Sequence, residues 1–118
     1  MYKRHQMGKI SENKAIDFLK RKEYCIIEHN FQCRQGEIDI IAKDNASNEY
    51  VFIEVKARSN FKYGKPVEAV NKIKQKHIIE ATKYYLYKNN LENQYIRFDI
   101  ITLYNNRICH YKNCEFTI

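Results

Sequence analysis

No apolar run in this 118-residue chain approaches the roughly 20 residues that a membrane-crossing helix needs. Behind Met1-Tyr2-Lys3-Arg4-His5-Gln6 there is no apolar stretch of the kind a secretory signal carries. A cytoplasmic protein with no membrane partner is therefore expected. Of the four cysteines, Cys25, Cys33, Cys109 and Cys114, none forms a Cys-x-x-Cys, and without a secretory signal a disulfide framework is not expected. A zinc site built from Cys109, His110 and Cys114 with Cys25 or Cys33 has the wrong spacing. The cysteines read instead as strand and turn thiols of a reducing compartment. Internal repeats, low-complexity tracts and linkers are also missing. One domain spanning 1–118 is expected, large enough for a single core without metal or disulfide staples.

What is present is charge. Lysine and arginine number 21 against 14 aspartates and glutamates, a net charge of +7. Such an excess favours nucleic acid through phosphate neutralisation and counterion release. It would equally suit an acidic protein or membrane surface, so charge alone does not choose a partner.

The most informative stretch runs from Gly36 to Arg58. Gly36 to Lys43 and Tyr50 to Arg58 both alternate with a period of two, as strands do, and the Asp- and Asn-rich Asp44 to Glu49 between them reads as a hairpin loop. Closing the hairpin sets Lys43 opposite Tyr50, Ile41 opposite Phe52 and Asp39 opposite Glu54. Residues opposite one another share a face. One face then carries Ile38, Ile40, Ala42, Val51, Ile53 and Val55, a core face. The other gathers Glu37, Asp39, Glu54 and Lys56 at one end. Carboxylates set opposite one another repel and raise each other's pKa unless a cation sits between them. A hard divalent ion would remove that repulsion, since it takes one or two carboxylates, waters and phosphate oxygens. An isolated Glu-x-Lys is most often a solvated pair; Asp39 on the partner strand makes this one far more specific.

Asp39 with Glu54-Val55-Lys56 resembles the PD-(D/E)xK signature of the restriction-endonuclease-like superfamily. The longer strings Gly36-Glu37-Ile38-Asp39-Ile40-Ile41-Ala42 and Val51-Phe52-Ile53-Glu54-Val55-Lys56-Ala57-Arg58 resemble the YraN family of small uncharacterised bacterial proteins, related to archaeal Holliday-junction resolvases. The likeness takes in Gly8 to Leu19, Tyr63-Gly64, the helix from Pro66 with Lys74-Gln75 and Ala81, and Arg97-Phe98-Asp99, nearly the whole chain. The superfamily's leading proline is replaced by Ile38. The resemblance implies an α/β fold, a mixed sheet flanked by helices with an αβββαβ core. It also implies Mg²⁺ or Mn²⁺ as cofactor, DNA as partner and, by analogy with the resolvases, a symmetric homodimer.

The remaining elements fit that order. Gly8 to Lys22 reads as a helix with Ala15, Phe18 and Leu19 as its apolar stripe and Ile16 at the margin. Glu12 lies toward the inward side, where it either reaches water at the helix start or turns into a cleft. The resemblance favours the cleft, because related resolvases place a first-helix glutamate at their metal. Tyr24 to Phe31 reads as the first strand, and Cys33-Arg34-Gln35-Gly36 sets a base and a flexible glycine where a phosphate could approach. From Ala57 to Pro66 cations alternate with aromatics, Arg58, Lys62 and Lys65 among them. That composition suits a grip on a nucleic-acid backbone as well as an ordinary basic loop. A helix is expected from Pro66 to Tyr87 or Lys88, with Val70, Ile73, Ile78, Ala81 and Tyr85 on its buried side. Lys74 falls at the edge of that stripe, able either to meet a phosphate at the site or to snorkel; Gln75 beside it shares the nucleic-acid expectation through the resemblance. Tyr95 to Leu103 alternates again, and Asn105-Asn106 is a hairpin turn into Arg107 to Tyr111. Asp99 with Arg97 is either a pair supporting the acidic site or a salt bridge on the sheet.

The chemistry expected is metal-assisted hydrolysis of a phosphodiester. Asp39, Glu54 and the Val55 backbone carbonyl would hold the ion, with Glu12 as a further ligand and Glu37 and Asp99 in support. Lys56 would orient water or stabilise transition-state charge. Arg34, Arg58, Lys62, Lys65, Lys74 and Gln75 would meet the nucleic acid. The alternative is a nucleic-acid-binding protein that keeps the fold without catalysis; a weaker third is an interaction module for an acidic protein.

Overall fold

The alternating segments pair into one five-stranded sheet, and each face of it is covered by a helix. The computed structural model describes residues 2–58 and 70–116, the first six of these by their backbone. Helix α1 (Tyr2–Arg21) begins before the Gly8 start expected from the pattern and stops at a left-handed Glu23 (φ 66°). Strands β1 (Tyr24–Cys33), β2 (Gly36–Asp44) and β3 (Glu49–Ala57) form an antiparallel meander. Helix α2 (Lys72–Lys88) then crosses over, so that β4 (Ile96–Tyr104) lies parallel to β3, and β5 (Arg107–Tyr111) returns antiparallel along β4. A parallel neighbour requires such a crossover, and a helix supplies it. The sheet order is β1-β2-β3-β4-β5. This is the α/β mixed sheet with flanking helices expected from the sequence.

Helix α1 packs Ala15, Ile16 and Leu19 onto Ile40, Ala42, Val51, Ile53 and Ile101. Helix α2 packs Ala81 and Tyr85 onto Phe31, Ile38, Ile41 and Phe52, with Ile78 against Val70 and Ile100. Both faces of the hairpin are therefore core, where the pattern alone gave one. Ile41 and Phe52, on the face that also carries the acids, are fully buried because α2 lies over them. The register Lys43↔Tyr50 and Ile41↔Phe52 is as counted, but the ladder ends at Ile40↔Ile53. Past that point Ile38 leaves the side of Ile40 and Ala42 and joins the α2 cluster.

Helix α2 starts at Lys72, capped by the Asn71 side chain, which accepts the Lys74 N–H at 2.8 Å. The expected start at Pro66 falls among residues 59–69, outside the described residues. With this start the inward line runs Gln75, Ile78, Thr82, Tyr85. Ile73, expected to be buried, is 71% exposed, since it sits in the first turn about 200° around the helix from Gln75.

Candidate active site

Where β2 and β3 part, a side chain takes over from the ladder. Asp39 Oδ2 accepts the Val55 backbone N–H at 2.8 Å. That bond fixes Asp39 in the gap between the strands, close enough to Glu54 for the two carboxyls to shift one another's titration. Glu54 is 7% exposed, and among the described residues its Oε1 has no hydrogen-bond partner. Burial, then the Asp39 charge, push the Glu54 carboxyl up to about 8, against the opposing pull of Lys74. Asp39 is raised as well, by burial, although the Val55 N–H works the other way. Near neutral pH the pair thus holds a proton that ordinary carboxyls would have lost.

One cation enters this cluster from α2. Lys74 Nζ lies 3.4 Å from Glu37 Oε1 and 3.8 Å from Glu54 Oε2. Its own pKa is lowered by burial but raised on balance by Glu54, Glu37 and Asp39. Lys56, two residues past Glu54 on β3, is exposed. Glu37 is exposed at the mouth of the site. On the α1 side the acids open into a cleft of about 460 Å³ whose walls include Lys9, Glu12, His29, Gln32, Glu37 and Asp39. Glu12 turns into this cleft, 3.1 Å from His29 Nδ1, and its pKa is raised chiefly by burial. His29 had no readable partner in the sequence: the irregularity in β1 between Ile26 and Glu28 shifts the pairing, so counting along the strand does not find it.

Other expected contacts fall elsewhere. Arg34 is exposed in the β1–β2 turn, and Arg58, just past β3, donates its N–H to the Leu103 carbonyl at 2.7 Å. Lys62 and Lys65 lie outside the described residues. Gln75 is buried, and its Nε2 donates to the Val70 carbonyl at 2.8 Å, so it steadies the entry to α2 and presents no surface to nucleic acid. Gly36 serves the packing of α2: a Cβ there would stand 2.8 Å from the His77 carbonyl oxygen, and its φ is 155°. Asp99 is not brought to the acidic pair. The parallel register places it beside Ile53, on the α1 face, while Ile100 stands beside Glu54. Its partners are Arg97 Nε and Nη2 at 3.0 and 3.1 Å, His110 Nε2 at 2.7 Å and the Asn113 N–H at 2.9 Å. Counting from the Asn105-Asn106 turn would have found His110, which sits opposite Ile101.

The donor set suits a hard divalent ion. Two adjoining carboxylates, one with an unpartnered buried oxygen, offer the short negative ligand set such an ion takes while keeping waters. Among the described residues no group of three or more His, Cys, Asp or Glu side chains is gathered for a metal. Two protein carboxylates are what the site provides. The four cysteines are free thiols, and His110 is engaged by Asp99.

The family described as "Uncharacterised protein family UPF0102" matches residues 11–103. A UPF0102 protein of Clostridioides difficile is 46% identical over 110 residues, 92% of this chain and 95% of the relative. One from Persephonella marina is 42% identical over 106 residues, 90% of each chain. Another, from Clostridium perfringens, is 47% identical over 98 residues, covering 82% of this chain and 78% of the relative.

Proposed function

This chain belongs to the uncharacterised protein family UPF0102, and from the geometry of its acidic cleft we propose a metal-dependent endonuclease that hydrolyses phosphodiester bonds in DNA, with branched or otherwise structured DNA as the substrate class to examine first. The observation that carries this reading is Glu54, a buried carboxyl beside a second carboxyl, with an oxygen that nothing in the described protein satisfies. Such a group costs stability and marks a candidate functional site. The spacing Asp39, then Glu54-Val55-Lys56, supports the same reading, as does the +7 charge for a polyanionic substrate.

Asp39, Glu54 and the Val55 carbonyl would hold Mg²⁺ or Mn²⁺. When bound, the ion supplies Lewis-acid polarisation of a phosphoryl oxygen and a more acidic water. The chain's own part is positional and electrostatic. The Val55 N–H keeps Asp39 aimed into the gap, and Glu54, beside Ile100 in the sheet, is buried. Lys56 stabilises the charge that grows on the phosphate oxygens as the bond forms. Glu12 and Glu37 border the cleft through which the strand enters.

A second reading, a DNA-binding protein without catalysis, is favoured by one observation: Lys74 already neutralises part of the acidic cluster without any ion. The test is single-turnover cleavage of labelled branched, flapped and linear DNA in Mg²⁺ or Mn²⁺ and in EDTA. Wild type should cleave only with metal, Glu54→Gln should not, and Lys56→Ala should be slower by about 10²–10³-fold with binding weakened at most about tenfold. Wild type no more active than Glu54→Gln would leave the binder.

A further inference from the structure

Lys74 meets the acidic cluster and also borders a second cleft. Its backbone is held by the Asn71 cap at 2.8 Å, and the missing Cβ of Gly36 lets the next turn of α2 sit directly on β2. On one side Lys74 Nζ meets Glu37 Oε1 at 3.4 Å and Glu54 Oε2 at 3.8 Å, while Glu54 Oε1 has no partner among the described residues. On the other Lys74 borders this second cleft of about 400 Å³, shared with Gln32, Cys33, Gly36, Glu37 and His77. Glu37 and Gln32 border both this cleft and the one on the α1 side. A strand crossing the acidic pair would therefore carry a neighbouring phosphate past Lys74.

We propose that Lys74 is a displaceable counter-cation: it stands in for the divalent ion when the acidic pair is empty, and on ion binding turns to the second cleft to take the phosphate next to the scissile one. This deepens the nuclease reading and rests on it. The driving force is charge. A doubly charged ion on Asp39 and Glu54 repels an ammonium a few ångströms away; Glu37, 3.4 Å from Lys74 Nζ and on the border of both clefts, stays its partner, and a phosphate of a bound strand in the second cleft adds a further anion. Metal and DNA should consequently each tighten the other's binding, because the same lysine cannot serve both stations.

The experiment is calorimetric titration of Mn²⁺ into wild type, Lys74→Met, Lys74→Gln and Asp39→Asn, with DNA affinity of each measured in Ca²⁺ and in EDTA. The two Lys74 variants should bind Mn²⁺ about tenfold more tightly than wild type, since a competing cation is gone. Wild-type DNA affinity should rise in Ca²⁺ by several-fold more than theirs. If Asp39→Asn abolishes Mn²⁺ binding but the Lys74 variants bind it as wild type does or more weakly, Lys74 is an ordinary ion-pair partner and the metal reading stands without it. If wild type binds no Mn²⁺, or binds it as Asp39→Asn does, the metal reading falls and this inference with it.

Discussion

Two ends of the β2–β3 hairpin each gather three carboxylates around a cation from another element, with opposite outcomes. At the loop end one guanidinium, Arg97, stands among Asp44, Glu49 and Asp99. At the open end one ammonium, Lys74, stands among Glu37, Asp39 and Glu54. Arg97 donates at 2.8–3.1 Å to Asp44, Glu49 and both oxygens of Asp99, and at 2.6 Å to the Tyr24 hydroxyl. Burial alone would raise Asp44 and Asp99, but hydrogen bonds led by Arg97 for the one and His110 for the other hold both below the usual carboxylate range. At the open end burial wins, and Asp39 and Glu54 are raised. The difference lies in hydrogen-bond geometry. A planar fork satisfies several acceptors at once, whereas the Lys74 ammonium, at 3.4 and 3.8 Å, leaves a buried Glu54 oxygen unpaired among the described residues. One cluster satisfies its acceptors; the other leaves a buried carboxyl oxygen unsatisfied among the described residues.

The sharpest way to break this contrast is to remove each cation in turn. Arg97→Met strands Asp99, which is fully buried, and should cost about 3–5 kcal/mol in denaturant unfolding. Lys74→Met should cost no more than about 1 kcal/mol, because Lys74 is partly exposed and Glu54 can keep its proton. Equal losses in the two variants would erase the distinction. Gly36→Ala comes next. The added methyl meets His77 atoms at 2.8 and 2.9 Å in a backbone region that L side chains avoid, so about 1–3 kcal/mol should be lost as α2 is pushed off β2. A neutral effect would mean α2 is not seated on Gly36. Smallest is Ile73→Ser, expected within about 0.5 kcal/mol because the side chain is mostly exposed.

Much of this was legible because the strands alternate cleanly. The hairpin register, the element order and the inward stripe of α1 follow from period and turn chemistry alone. Three features did not. Asp39 replaces a ladder bond, and no pattern announces where a ladder stops, so Ile38 was placed on the wrong face. Helix α2 begins at Lys72 behind its Asn71 cap, and a start read at Pro66 put Ile73 inward; polar Gln75 and Thr82 hold inward positions instead. Asp99 resembled a companion of the acids, yet a one-residue register step in the parallel pair puts it on the opposite face. Of the site itself, Asp39, Glu54, Glu37 and Lys74 were read from sequence, while the closeness of Lys74 to the acids came only with the packing of α2.

The two clusters also respond oppositely to pH. Carboxyls held low, Asp44 and Asp99, stabilise the fold above about pH 4 and lose that contribution as pH falls. Glu54, raised from 4.5 to about 8, does the reverse: between those values the unfolded chain has shed a proton that the folded chain keeps, so stability declines as pH rises. The most direct measurement is the unfolding free energy from pH 5 to 9, with and without Mn²⁺, for wild type and Glu54→Gln. Wild type should lose stability relative to Glu54→Gln as pH rises toward 8, and Mn²⁺ should restore it in wild type alone. Parallel pH curves for the two proteins, with no stabilisation of wild type by Mn²⁺ at pH 8, would contradict the account of an acidic pair built for a divalent ion.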